Sequence, residues 1–181
     1  NRKRPDLRVI GVEPVLELRQ IGHGEGIAVD QLIDGDATNL AFGNDEFDLV
    51  CAFGLLHHVR RPQKVISEML RVAKTAIFIS DSNNFGQGSA IIRLVKQLIN
   101  TVGLWGVANL VKTKGKGYVI SDGDGLAYSY SVFNNYEQIK RECSEVHCLN
   151  TNGGGLNLYR TADHIALLGI KRRASKHPTK L

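Results

Sequence analysis

Short apolar runs alternate with helical periods along the first hundred residues of this chain. Leu7 to Val12 is a β-rich run, and Pro14 opens a helical stretch to about Ile21, which Gly22 to Gly26 breaks. Leu32 and Ile33 make a short strand. Phe47 to Phe53 is apolar throughout apart from Asp48, the pattern of a strand buried in a parallel sheet. Pro62 sits where a first helical turn accepts it, and Val65, Ile66, Met69, Leu70 and Ala73 follow on one helical face. Ala76 to Ser80 is the next strand and ends at Asp81. Ile91, Ile92, Val95, Leu98, Ile99 and Val102 mark a second amphipathic helix. Alternating strands and helices predict an α/β fold, a mostly parallel sheet with helices on both faces.

The rhythm breaks between about 103 and 133, where six glycines stand among Trp105, Tyr118, Tyr128 and Tyr130. Tyr118 to Ile120 and Leu126 to Phe133 are expected to pair as a hairpin around Asp122-Gly-Asp-Gly125, forming either a substrate cap or a plain surface hairpin. Asn134 or Asn135 suits a helix cap, with the helix running to about Cys143. Val146 to Leu149 and Ile165 to Ile170 read as the last two strands. The organisation expected is one α/β domain over residues 1–170 and a basic tail over 171–181.

Acidic residues punctuate these runs. Glu13 closes the first, Asp36 follows Leu32 and Ile33, and Asp48 opens the third. Ligands of open parallel sheets bind at the carboxyl ends of strands, where an acid can hold a ribose. The segments VIGVEP (9–14) and DGDATNLAF followed by FDLVCAFGLLHHV (34–59) resemble the class I S-adenosylmethionine-dependent methyltransferases, in the small-molecule group with a GDA…LPF…FDLV…LHHV pattern. The resemblance covers residues 8 to 81 well and the remainder in outline. It implies a Rossmann-like sheet closed by an antiparallel final strand, S-adenosylmethionine as cofactor and a small-molecule methyl acceptor. It also implies a strand and a glycine-rich loop ahead of Leu7, which this sequence lacks; the chain, beginning at Asn1, reads as N-terminally truncated.

A carboxylate only accepts hydrogen bonds, and two adjacent ribose hydroxyls donate a matching pair. By resemblance Glu13 would take the ribose, with Pro14 and Val15 against the adenine. Asp36 would accept from the adenine amine and the amide after it, at Ala37, would meet a ring nitrogen. An Asx-type turn is the other reading of Asp36, and Asp34 belongs to that turn. Phe53 and Gly54 would line the methionine end of the cofactor, with core packing the alternative for Phe53. His57 and His58 titrate near neutral pH and suit a general base, His58 ahead of His57. That the pair recurs in the family pattern across many substrates suggests a bracing role instead. Asp81 and Asn83, with Ser82 and Asn84, are candidates for substrate contact or for a capping turn, and Trp105 and Tyr128 for the cap.

Composition narrows the classes. The 181 residues carry a formal net charge of +5, with 43% hydrophobic and 23% charged residues, an ordinary soluble balance. The excess is terminal: Lys171, Arg172, Arg173, Lys176 and Lys180 stand without an acid after 170, and Arg2, Lys3 and Arg4 lie at the start. The tail has no interleaved aromatics for base stacking, which argues against nucleic acid. No apolar run approaches 18 residues, so no membrane span or membrane partner is expected. Cys51, Cys143 and Cys148 are odd in number and lack metal spacing. Cys51 reads as a small core residue, and a reduced cytoplasmic compartment fits. No metal is expected, because no cysteine or third ligand stands at suitable spacing from His57 and His58. Asp122-Gly-Asp-Gly125 resembles a calcium loop, but Phe133 occupies its twelfth position. Gly22–Gly26 and Gly153–Gly155 read as loops, not phosphate cradles.

Two other classes stay open: an NAD-dependent oxidoreductase, against which DGDATNLAF argues, and a non-catalytic interaction domain that keeps the sheet. The methyl acceptor and oligomeric state are not legible in the sequence. If the family topology holds, the absent strand is central, and unpaired buried backbone groups cost roughly 1 to 3 kcal/mol each. The 181-residue chain is therefore expected to be marginally stable or aggregation-prone. Light scattering and thermal melting test this; a soluble chain that melts cooperatively would refute it.

Overall fold

The computed structural model describes residues 6–151 and 157–172. The Gly153–Gly155 loop, Arg2, Lys3 and Arg4, and the basic run from Arg173 onward lie outside the described residues. The chain divides into two compact units, residues 1–42 and 43–181.

The first unit holds β1 (Gly11–Val12), α1 (Leu16–Gly24) and β2 (Leu32–Ile33). β1 pairs in parallel with β2, Gly11 opposite Leu32 and Val12 opposite Ile33, and the Glu13 amide extends the ladder to the Ile33 carbonyl at 3.0 Å. The strand expected over Leu7 to Val12 thus narrows to the two residues that find a partner. Conversely, α1 outruns its expected end near Ile21. Its last turn closes through the amides of Glu25 and Gly26, which donate to the carbonyls of Ile21 and His23 at 2.9 and 3.0 Å.

The second unit is built on a four-stranded sheet. After β3 (Phe47–Phe53) come α2 (Pro62–Val72), β4 (Ala73–Ser82), α3 (Ala90–Thr101), α4 (Trp105–Lys112), β5 (Tyr118–Ser121) and β6 (Gly125–Tyr128). Then follow α5 (Tyr136–Glu142), β7 (Cys143–Asn150), α6 (Leu158–Thr161) and β8 (His164–Lys171). The sheet order is β3-β4-β8-β7. β3 and β4 are parallel, whereas the final strand β8 runs antiparallel to both β4 and β7. A long crossover separates β3 from β4, as a parallel pair demands, and α2 supplies it.

The core lies where α2 and α5 meet one face of this sheet. Val65, Ile66, Met69, Ile77, Ile79, Ile139, Ile165 and Leu167 are all essentially buried there. The expected apolar face of α2 therefore packs as its spacing implies. The opposite face, on which Leu49, Cys51 and Phe53 alternate along β3, remains exposed. Cys51 is thus not the core residue expected of it: the two-residue period of a strand turns it away from buried Ala52.

The insert forms as anticipated at its centre. β5 and β6 pair antiparallel from Tyr118 opposite Tyr128 to Ser121 opposite Gly125. Its second strand is shorter than expected, because Val132–Asn135 coil into a short 3-10 turn. That turn leads directly into α5, and although Asn135 precedes α5, its side chain makes no capping hydrogen bond.

Gly86 is fixed by close approach of backbone. A Cβ there would lie 1.8 Å from the Ala162 carbonyl oxygen, far inside contact distance. Gly86→Ala is expected to destabilise the chain by about 1–3 kcal/mol or more, because backbone must move to admit the methyl; urea unfolding of wild type and variant measures it.

Candidate functional site

Glu13 is the first residue beyond the carboxyl end of β1, and Asp36 the third beyond that of β2. One Glu13 oxygen accepts from the Val15 amide at 2.9 Å, which turns the chain into α1. The Asp36 carboxylate accepts from the Thr38 amide and hydroxyl at 2.7 and 2.8 Å. This is the Asx-type turn weighed for it from the sequence, and its side chain remains exposed. Asp34 pairs instead with Arg19 at 2.7 Å. Arg19 also donates to the Glu13 carbonyl at 2.6 Å, so one guanidinium ties the helix to both strand ends. Pro14 is exposed and Ala37 half-buried.

In the second unit, Phe53 ends β3 with 68% of its surface open and its ring 5.7 Å from that of Phe78. Gly54 follows at φ +58°, a left-handed conformation that a side chain would oppose. The strand thereby turns sharply into the short 3-10 segment Leu56–His58.

Asp81, expected at the ligand-facing edge, is fully buried. Its carboxylate accepts from the Leu56 amide, the His57 ring Nδ1 and the Ser82 amide, each at 2.7 Å. Asn83 is buried too: its amide nitrogen donates to the carbonyls of Leu158, Tyr159 and Ala162, and its oxygen accepts from Ser131. In this structure both act as joints between loops, and neither is open to a ligand. The physical reason is valence: a carboxylate and an amide that reach several backbone groups at once are drawn inward to satisfy them.

Trp105 and Tyr128 do come together. They line a cavity of about 240 Å³ with His57, Ser82, Asn84, Lys96, Asn109, Lys112, Tyr118, Asp124 and Tyr130. The Trp105 indole donates to Ser129 at 3.0 Å, and the Tyr118 and Tyr128 rings meet edge to face with centroids 6.1 Å apart. Of the two histidines, His57 is the one on this cavity. His58, the favoured base in the sequence, donates from Nδ1 to the Leu126 carbonyl at 2.7 Å and so holds the hairpin to the Leu56–His58 segment. Tyr130 donates to Asn135 at 3.0 Å, and burial, with Asp81 nearby, pushes its phenol well up. Burial, then the charge of Lys112, lowers Lys96; its ammonium donates to the carbonyls of Asn84 and Gln87.

Asn84, a candidate for substrate contact or a capping turn from the sequence, lines the cavity. Its side-chain oxygen is buried without a hydrogen-bond partner, while its nitrogen donates to Ser129 at 2.5 Å. Sequence reasoning missed Lys96, Lys112 and Asp124 as cavity residues. No spacing signals them, because they lie on three separate elements.

Residues 2–78 match the methyltransferase domain family. A phosphatidylethanolamine N-methyltransferase of Cereibacter sphaeroides is 32% identical over 106 residues, which cover 56% of this chain and 45% of that protein. The chain therefore spans about half the length of that curated relative. Among solved structures, an S-adenosylmethionine-dependent methyltransferase of Methanosarcina mazei aligns over 90% of this chain and 81% of its own, at a TM-score of 0.58 and 14% identity. A Thermotoga maritima structure described as a possible histamine N-methyltransferase aligns over 91% and 73%, at 0.55 and 16%. The chain has the class I methyltransferase fold, Rossmann-like with an antiparallel final strand, and the cofactor that this family and fold imply is S-adenosylmethionine.

The Asp81 joint makes a direct prediction. Asp81→Ala leaves the buried Leu56 amide without an acceptor, so unfolding stability should fall by roughly 1–3 kcal/mol for that group alone, with further loss from His57. Urea denaturation against wild type measures it; an unchanged midpoint would show that the carboxylate is not the joint.

Proposed function

We propose that the chain serves S-adenosylmethionine-dependent methyl transfer to a nitrogen acceptor. The observation that carries this reading is the pair of acids, Glu13 and Asp36, beyond the carboxyl ends of the adjacent parallel strands β1 and β2. Glu13 would hold the ribose, Pro14 would pack on the adenine, and Asp36 with Ala37 would read the adenine edge. Phe53, open at the end of β3, would stand beside the methionine part.

Methyl transfer is an in-line displacement at a sulfonium carbon. The acceptor lone pair forms the new bond to the methyl carbon, and the electrons of the carbon–sulfur bond leave with the sulfur. The leaving group is already activated, so the protein's work is chiefly to align the acceptor, which supplies up to roughly 7–11 kcal/mol. The N-methyltransferase relative supports a nitrogen acceptor, and Trp105, Tyr118 and Tyr128 on the cavity would offer ring faces and edges to its carbon frame.

A phospholipid amine is favoured over a soluble one by a second feature. Residues 82–121 hold five basic residues and no acid. On α3 and α4 within that stretch, Ile91, Leu94, Leu98, Val107 and Val111 are exposed, Ile91 and Val111 by 75% and 76%. Apolar side chains beside lysines and arginines suit the interface of an anionic bilayer. None of the described helices is long and apolar enough to cross one, so this would be a surface contact. Lys112 on the cavity would meet the headgroup phosphate. The relative from Cereibacter sphaeroides, named for a lipid, supports the same choice.

Calorimetric titration with S-adenosylhomocysteine, and NAD in parallel, tests the cofactor. In a version extended upstream by a strand and glycine-rich turn, micromolar binding is expected, weakened about 10- to 150-fold by Glu13→Ala as a hydrogen bond to a charged group is lost. NAD should not bind. A well-folded extended protein that binds neither would put the non-catalytic interaction domain in first place. Methylation of phosphatidylethanolamine in anionic vesicles, compared with soluble phosphoethanolamine, then separates the lipid acceptor from the soluble one.

A further inference from the structure

The side chains of His57, His58 and Asp124 converge, with one ligand atom of each lying within 4.8 Å of the others. Hydrogen bonding fixes what those atoms are. His57 Nδ1 lies 2.7 Å from Asp81, and His58 Nδ1 lies 2.7 Å from the Leu126 carbonyl. Carboxylates and carbonyls only accept, so both rings carry their proton on Nδ1. In the neutral rings, both Nε2 atoms are then lone pairs. They face the Asp124 carboxylate, His57 at 3.8 Å from one oxygen and His58 at 3.6 Å from the other. Those separations are too long for hydrogen bonds. Three electron-pair donors are thus gathered with nothing neutral to hold them together.

We propose that His57, His58 and Asp124 form a binding site for a divalent first-row transition metal of the zinc class. Zinc binds imidazole nitrogen and carboxylate oxygen at about 2.0–2.2 Å in tetrahedral geometry, which places ligand atoms roughly 3.3–3.6 Å apart. The two observed separations run to different oxygens of Asp124, so a small turn of that exposed side chain is what brings one oxygen within reach of an ion held by both rings. Imidazole ligands select zinc, copper, nickel or iron over magnesium and calcium. The outer contacts are of the kind metal-bound histidines use, one Nδ1–H to a carboxylate and one to a backbone carbonyl. Asp81 also balances charge, since two carboxylates offset a dication. Its anchor role makes His57 rigid: the same carboxylate holds the Leu56 amide.

Three protein ligands leave a fourth tetrahedral position for water or substrate, the pattern of catalytic rather than structural zinc. His57 and Asp124 both line the cavity that holds Asn84 and Tyr128. An ion there would stand in the cavity wall and could bind an oxygen of the acceptor molecule. It would also pin the β5–β6 turn, which carries Asp124, to the Leu56–His58 segment. The site owes nothing to the cofactor assignment, and it survives if methyl transfer is disproved.

The test uses the whole chain and cobalt(II), which reports four-coordination through intense visible d–d bands. Wild type should bind one cobalt per chain with those bands, and zinc should displace it. Asp124→Asn should weaken binding at least tenfold and abolish the four-coordinate spectrum. Asp122→Asn, which removes the same charge from the same exposed turn, should leave both unchanged. Neither substitution touches the core, as both side chains belong to an exposed turn. Absence of cobalt binding by the folded wild type would overturn the proposal. So would equal loss in the two variants, which would mark only diffuse attraction to surface acids.

Discussion

Asp81 sits at the end of the central parallel strand and gathers the loops around it. It accepts from the amide of Leu56, the ring of His57 and the amide of Ser82. A carboxylate withdrawn from water needs several donors to offset lost solvation, and only a loop folded back across the strand end can deliver them. The turn at Gly54 is what brings that loop back. Once His57 is fixed, His58 beside it is placed to hold the Leu126 carbonyl, and the β5–β6 hairpin is held in turn. Asn83, two residues on, does the same for the loop around Leu158 to Ala162 and for Ser131. Two polar side chains therefore set the walls of the cavity, although neither faces a ligand.

This arrangement separates burial from function. The buried residues at the strand end act as joints, whereas on the cavity Trp105, Tyr128 and His57 are half-buried and Asp124 is exposed. The sheet is likewise uneven. One face carries α2 and α5 over a tight core, and the other leaves Leu49, Phe53 and Leu149 open. The exposed apolar side chains of α3 and α4 add a further surface that is poor in acids.

Much of the fold was legible because period and punctuation are local signals. The seven-residue strand β3 and the apolar face of α2 followed from spacing alone, and so did the hairpin around Asp122 to Gly125. Shorter elements were less legible: β1 is two residues of a six-residue β-rich run, because a strand exists only where a partner pairs with it. Cys51 was misplaced because a continuous apolar run does not say which face will be covered. Asp81 and Asn83 were singled out for position, and their burial depended on acceptors and donors up to 79 residues away.

By itself the sequence determined the α/β class, the main strands and helices of the sheet, and the acids beyond β1 and β2, but not the helices α4 and α6. All of these depend on residues that are neighbours along the chain. Only the tertiary structure decided which polar groups close into joints and which stay open to a cavity. It brought Asp124 from the hairpin turn to His57 and His58, more than sixty residues earlier, where no spacing rule would look for a third ligand. It also fixed the protons of both rings on Nδ1, through Asp81 and Leu126. The reason is that hydrogen-bond valence and burial are properties of groups assembled in space, and they appear only when distant segments meet.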